Sequence, residues 1–100
     1  MEYSTTSAGQ TVTLKISGEL DAVTVVDLRP EIERIVAEHG AKVIVDLSAL
    51  RLIDSSGVGA IVSLFKRVRA EGGQFEVTGV QGQPLMIFQV LKLDQVFGPR

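Results

Sequence analysis

Val-Ile-Val-Asp-Leu at 43–47 and Asp-Ser-Ser-Gly at 54–57, followed by an apolar run to Val68, decide the fold of this chain. The first segment is short, rich in β-branched residues and almost continuously apolar, which predicts a central strand covered on both faces. The run after Gly57 has helical periodicity, with an apolar stripe made of Val58, Ile61, Val62, Phe65 and Val68. The stretch therefore predicts a buried strand, a loop over 48–53 and a helix from about Ser55 to Ala70.

Asp54 stands where the N-cap of this helix belongs, because its carboxylate can accept hydrogen bonds from the first free backbone N–H groups. Ser55 and Ser56 then fall in the first helical turn, with their hydroxyls near the surface. A helix N-terminus offers unpaired donors and a partial positive charge, so a hydroxyl there is well placed to carry a phosphate. The same residues also fit a helix cap with no further role.

The chain before the central strand predicts a hairpin and a helix. A weak strand over 2–6, a turn over 7–10 and a cleanly alternating strand over 11–17 that ends at Gly18 predict two antiparallel strands. Leu50 and Ile53 have the spacing of apolar anchors beneath the predicted loop.

The first helix opens at Asp21 or Thr24, and Thr24 with Asp27 resembles a capping box. Its apolar stripe consists of Val25, Leu28, Ile32, Ile35 and Val36. Pro30 lies inside that stripe, which predicts either a kink or a restart of the helix. Gly40 is expected to end it.

The chain after the second helix predicts a strand over 74–78, a third helix from Pro84 to Leu91 and a last edge strand over 93–97. Connections through helices make the strands at 11–17, 43–47 and 74–78 parallel, with right-handed crossovers. The third helix has Leu85, Phe88 and Leu91 on one face, with Met86 and Val90 widening the stripe and Ile87 off it. A short helix this apolar either packs deeply or meets a partner.

The amino-acid composition restricts the class of protein to which the chain can belong. One hundred residues, 45% of them apolar, fit a single domain over 1–100. The net charge of −2 provides no basic field for nucleic acid or anionic lipid, and the absence of cysteine excludes disulfides and cysteine-based zinc sites. With a polar N-terminus and no long apolar run, the chain is expected to be cytoplasmic, without direct membrane contact.

The sequence offers little for catalysis. Ser55 as a nucleophile needs a base, and the only histidine, His39, falls at the end of the first helix. Gly57 and Gly59 lack the remaining residues of a nucleotide-binding loop, and they are expected to let a partner approach the helix start. The aspartates form no calcium loop, so we expect no enzyme, metal or cofactor.

The segment from Val45 to Gly59, Val-Asp-Leu-Ser-x-Leu-x-x-Ile-Asp-Ser-Ser-Gly-Val-Gly, resembles the signature of the STAS domain, in particular of bacterial anti-sigma-factor antagonists. Gly18-Glu19-Leu20-Asp21 is similar to a second element of that family, and the resemblance extends from about Thr11 to Phe97. It implies an α/β fold: a single STAS-like domain with a mixed, mostly parallel sheet of four to five strands and three or more helices. Many family members continue past the position of Arg100 into another helix.

The resemblance also implies a function. Family members of this type bind an anti-sigma factor that is a serine kinase, release a sigma factor, and are switched off when the first hydroxyl residue after the aspartate is phosphorylated. In this chain that residue is Ser55, and Ser56 is the alternative. A phosphatase removes the phosphate again. The implied partner-binding residues are Asp21, Asp54, Ser55, Ser56, Gly57 and Gly59.

Three roles stay open at this point: the phosphorylation switch, an accessory or scaffold subunit of a transporter or stress-sensing complex, and a structural domain without a switch. The chain is expected to be a monomer or weak dimer.

Overall fold

Across residues 1–38 and 41–97, which the computed structural model describes, the chain forms a four-stranded sheet and four helices. The strands are β1 (Glu2–Ala8), β2 (Thr11–Leu20), β3 (Lys42–Ile53) and β4 (Gln74–Thr78). The helices are α1 (Val25–Glu38), α2 (Ser55–Ala70), α3 (Gly82–Val90) and α4 (Leu93–Val96). Within these ranges, no helix has both the length and the hydrophobicity that crossing a bilayer requires.

The strands lie in the sheet in the order in which they occur along the chain, β1-β2-β3-β4. β1 and β2 are antiparallel, whereas β2, β3 and β4 are mutually parallel. The parallel pairs are joined through α1 and α2, as crossover connections require. The predicted α/β fold with a mixed, mostly parallel sheet is confirmed.

The core lies on one face of the sheet. In the first half of β3, Val43, Val45 and Leu47 are buried, whereas Ile44 and Asp46 between them are partly exposed. The prediction that this strand is covered on both faces is therefore wrong. The opposite face is partly polar, and Lys42 and Glu76 form an ion pair there, with 3.7 Å between Nζ and Oε2.

β2 and β3 are both longer than predicted. Gly18 does not end β2, because it takes a φ of +84° within the strand, and two register shifts between Lys15 and Glu19 keep the ladder paired as far as Leu20. The predicted loop over 48–53 is strand as well, since it pairs with the end of β2. Sequence periodicity misses both extensions because bulges break the two-residue alternation. The prediction that Leu50 and Ile53 are buried is confirmed.

α1 is one helix that contains Pro30, so a restart at this residue is wrong. Proline leaves the carbonyl of Val26 without its helical partner. Val26 is exposed, so water can reach this turn. The predicted end of α1 at Gly40 lies outside the described residues.

The third helix begins two residues before the predicted Pro84, which occupies its third position. Its faces differ from the prediction: Ile87 packs against the core, and Leu91 is 52% exposed. The predicted edge strand over 93–97 is wrong, because Lys92 turns the chain with a φ of 60° and α4 follows.

Phe97, the residue after α4, is buried in an aromatic cluster. Its ring centroid lies 5.3 to 5.6 Å from those of Phe65, Phe75 and Phe88. Aromatic packing at these distances fixes the end of the described chain against α2 and β4.

Candidate functional site

The carboxylate of Asp54 joins the starts of two helices. Its Oδ1 accepts a hydrogen bond from the backbone N of Gly57 at 3.0 Å, which caps α2 as predicted. Its Oδ2 accepts a second bond from the backbone N of Ala22, also at 3.0 Å, in the turn that leads into α1. The backbone N of Asp54 itself donates to the carbonyl of Leu20 at 3.2 Å. Asp54 therefore holds the ends of β2 and β3 and both helix starts together.

Asp21 caps the other helix start. Its Oδ1 accepts bonds from the backbone N of Val23 at 3.0 Å and of Thr24 at 2.9 Å. The backbone donor of Thr24 is the main reason why the pKa of the Asp21 carboxyl is lowered from its ordinary value. The predicted capping box between Thr24 and Asp27 does not form. The hydroxyl oxygen of Thr24 accepts from the backbone N of Asp21 at 3.0 Å, and the backbone N of Asp27 donates to the carbonyl of Thr24, also at 3.0 Å.

Ser55 and Ser56 lie beside two different depressions on α2. Ser55 is the first residue of the helix and is exposed, next to a groove between α2 and α3. Ser56 is half-buried and faces a depression between α2 and α1, which Arg29 and Arg67 also line. The two neighbouring hydroxyls are thus in different surroundings, a distinction that their adjacency in the sequence does not reveal.

The groove beside Ser55 is apolar. Its walls are the first turns of α2 and the last turn of α3, with these lining residues: Ile53, Asp54, Ser55, Val58, Gly59, Val62, Ile87, Val90 and Leu91. Val90 is 72% exposed and Leu91 52% exposed, whereas Ile87 is partly buried against the core. The only charged side chain in this lining is Asp54. The groove therefore contains no lysine or arginine that could form an ion pair with a phosphate on Ser55.

The two glycines of the helix start differ in what surrounds them. A Cβ on Gly57 would lie 2.7 Å from the carbonyl oxygen of Leu20 and 2.8 Å from a side-chain carbon of Ile53. Gly57 therefore serves the fold, because it lets α2 approach the end of β2. A Cβ on Gly59 would meet nothing within 4 Å, and Gly59 is exposed one turn beyond Ser55.

Gln83 supports the site, although it belongs to no motif of the sequence. β4 ends opposite Asp46, so β3 has no strand partner on that side near Ile53. The side-chain amide of Gln83 takes that place, with Oε1 accepting from the backbone N of Ile53 at 2.9 Å and Nε2 donating to its carbonyl at 3.0 Å. Nothing in the local sequence signals this contact, because Ile53 and Gln83 are thirty residues apart.

Of the residues considered for hydrolysis, the structure describes Asp54 and Ser55. His39, the histidine considered as a base for Ser55, lies outside the described residues. Within residues 1–38 and 41–97, no three His, Cys, Asp or Glu side chains are grouped to hold a metal ion. The carboxylate that precedes Ser55 in the chain, that of Asp54, has both oxygens bound to backbone N–H groups.

A family model described as the STAS domain matches residues 2–100. The chain belongs to the STAS domain family. Among curated proteins, it is 27% identical over 85 residues to the anti-sigma-B factor antagonist of Bacillus subtilis, which covers 85% of this chain and 77% of that protein.

Two solved structures show how closely this STAS domain follows known ones. An anti-sigma factor antagonist from Mycobacterium paratuberculosis superposes with a TM-score of 0.88 at 23% identity, covering 98% of this chain and 83% of the other. The Bacillus cell fate determinant SpoIIAA in its phosphorylated form superposes with a TM-score of 0.78 at 22% identity, covering 99% and 91%. The resemblance to STAS domains, and to anti-sigma factor antagonists among them, is confirmed.

Because Asp54 caps two helix starts of the STAS domain, its replacement is expected to cost more than an ordinary N-cap. We expect Asp54→Ala to lower the free energy of unfolding by about 2 kcal/mol, because each of the two lost hydrogen bonds contributes about 1 kcal/mol. Asp54→Asn keeps one acceptor oxygen and should lose about half as much. Urea unfolding followed by circular dichroism measures both, and an equal loss in the two variants would contradict the double cap.

Proposed function

We propose that this STAS domain is an anti-sigma factor antagonist that a partner kinase switches off by phosphorylating Ser55. The unmodified surface around Asp54, Ser55 and Gly59 binds an anti-sigma factor, which then releases its sigma factor. The partner acts in the cytoplasm and holds ATP. A phosphatase restores the hydroxyl. The observation that carries the proposal is the exposed Ser55 hydroxyl, which stands at the start of a capped helix beside an apolar groove.

In this proposal the STAS domain supplies the acceptor and the partner supplies the catalysis. The bond between the γ-phosphorus of ATP and its bridging oxygen breaks, a new bond forms to Ser55 Oγ, and ADP leaves. The hydroxyl proton passes to a base on the kinase. Asp54 acts as a positioning residue here, because its two oxygens are held by the backbone N–H groups of Gly57 and Ala22.

The charge that phosphorylation adds would sit in a poor place for rebinding. A phosphate at neutral pH carries about −1.5 to −2 charges. It would stand next to the carboxylate of Asp54 and against the apolar groove, in whose lining no Lys or Arg is present. A partner surface that fits a neutral hydroxyl and an apolar wall would then have to desolvate a dianion, which opposes binding.

Ser55 is a better candidate than Ser56 for this role. Ser55 is exposed, whereas Ser56 is half-buried in the depression between α1 and α2. A kinase active site must surround the accepting oxygen, which is easier at an exposed first residue of a helix. Curated relatives named anti-sigma-B factor antagonists support the class of partner.

The test is to incubate the protein with its candidate kinase and ATP and to locate the phosphate by mass spectrometry. We expect one phosphate on Ser55, lost in Ser55→Ala and retained in Ser63→Ala, because Ser63 is an exposed serine of the same helix. Phosphate on Ser56 in the unchanged protein would overturn the assignment. Co-purification with a membrane transporter instead of a kinase would favour the accessory-subunit role.

A further inference from the structure

We propose that two copies of this chain associate by pairing their β1 strands, which would join the two sheets into one of eight strands. β1 is the outer strand beside β2, and among the described residues no strand pairs with its other edge. An unpaired edge presents a row of free N–H and C=O groups to any strand of matching register. The proposal is independent of the phosphorylation of Ser55.

β1 lacks most of the features that usually protect an edge. Its seven residues, Glu2–Ala8, contain no proline, lysine or arginine, and all are exposed except Thr5. The one charged side chain, Glu2, stands at the end of the strand and not in its middle. Its register with β2 is unbroken over seven consecutive pairs, so no bulge twists it away. Charged side chains, proline and bulges are the devices by which natural proteins block such edges.

The other edge of the sheet is better covered. β4 has only five residues, Gln74–Thr78. Val96 and Phe97 line a depression together with Gln74, Phe75 and Glu76, which places the end of the chain beside this strand. Of the two edge strands, β1 is therefore the one that is more accessible to a second copy of the chain.

The sequence of β1 is compatible with pairing to itself. In such a dimer a two-fold axis perpendicular to the sheet relates the two antiparallel β1 strands. Paired side chains must lie on the same face of the sheet, so the axis must run between the two copies of one residue, which then pair with each other. An axis through Thr5 uses all seven residues and pairs Glu2 with Ala8, Tyr3 with Ser7 and Ser4 with Thr6. No like charges face each other, and hydroxyl side chains meet across the axis, which is a favourable cross-strand pair.

The charges above this edge do not oppose association. The hydroxyl of Thr5 donates to the carboxylate of Glu31 on α1, which shows that α1 lies over β1. Glu31 also pairs with Arg34, and Arg34 contacts Glu38 at 3.4 Å. Both signs are therefore present and paired, and the net charge of −2 per chain is small.

The expected dimer is weak. A strand of seven residues is about 24 Å long, and its edge buries less surface than a stable interface requires. We expect a dissociation constant of about 0.1–1 mM, which sedimentation velocity across a concentration series would detect. Tyr3 is the only tyrosine in a chain without tryptophan, so its fluorescence reports on β1 alone and should change over the same concentrations.

Cysteine cross-linking tests the register, since the chain has no cysteine of its own. In the proposed dimer the two Thr5 Cα atoms lie about 4.5–5.5 Å apart, within the range of a disulfide. Thr5→Cys should form disulfide dimers under mild oxidation at least tenfold faster than Gln74→Cys on the other edge or Ser63→Cys on α2. A mixture of Ser4→Cys and Thr6→Cys should give mixed dimers faster than either variant alone.

A charge at the axis should separate the copies without disturbing the fold. Thr5→Arg places a guanidinium near Glu31 within each chain, but sets two of them against each other across the axis. We expect at least a tenfold weaker dimer with an unchanged urea midpoint. A monomer at 1 mM in sedimentation, or cross-linking of Gln74→Cys as fast as that of Thr5→Cys, would overturn the proposal.

Discussion

The phosphorylated protein is expected to bind its anti-sigma factor about a thousandfold more weakly than the unmodified protein, a difference of about 4 kcal/mol. The cause is local, because the phosphate on Ser55 would meet the Asp54 carboxylate on its own chain and an apolar groove lined by Val90 and Leu91. Isothermal titration calorimetry with phosphorylated and unmodified protein measures the difference. Ser55→Asp adds a single charge and should show a smaller loss of about tenfold to a hundredfold.

Two controls separate this charge effect from other causes. Ser63→Asp places the same charge on an exposed position of α2 away from the groove, and it should bind almost normally. Ser55→Ala removes the hydroxyl without adding charge, so it should keep most of its affinity while losing phosphorylation. If Ser55→Asp binds as tightly as the unmodified protein, the charge-switch mechanism is wrong.

Alanine at the two glycines of α2 is expected to have opposite effects on stability. Gly57→Ala should lower the free energy of unfolding by about 2–3 kcal/mol, because the new methyl group would lie 2.7 Å from the carbonyl oxygen of Leu20 and the helix start must shift. Gly59→Ala should raise it by about 0.5–1 kcal/mol, because alanine is the better helix former and the space is open. Urea unfolding of the two variants measures both changes.

Binding tests whether a partner covers the surface at Gly59. If a partner approaches the helix start closely, Gly59→Leu should weaken the binding of the anti-sigma factor although the fold is unharmed. Ser63→Leu, which adds the same side chain at an exposed position of α2 outside this groove, serves as the matched control. Unchanged affinity in Gly59→Leu would mean that the partner does not cover this turn.

Local patterns in the sequence predicted the structure of the helix start well, because each residue there acts within its own element. Asp54 as the cap of α2 and Ser55 in the first turn follow from residue type and spacing alone, since capping is a contact over three residues. The parallel order of β2, β3 and β4 follows from the helices between them. Several predictions that failed involve chain reversals and extensions, such as the β-bulge at Gly18 and the αL turn at Lys92 before α4. The predicted burial of β3 on both faces failed as well, because residues of another part of the chain decide what covers a strand.

The amino-acid sequence by itself determined the fold class, the cap and the hydroxyl at the helix start, because apolar periodicity and capping depend on neighbours along the chain. Only the tertiary structure decided which residues act across the chain: the second bond of Asp54 to Ala22, the support of Ile53 by Gln83, and the different depressions that Ser55 and Ser56 line. These contacts join residues about thirty positions apart or depend on the packing of three helices. No local pattern encodes them, because their geometry exists only when the strands and helices have come together.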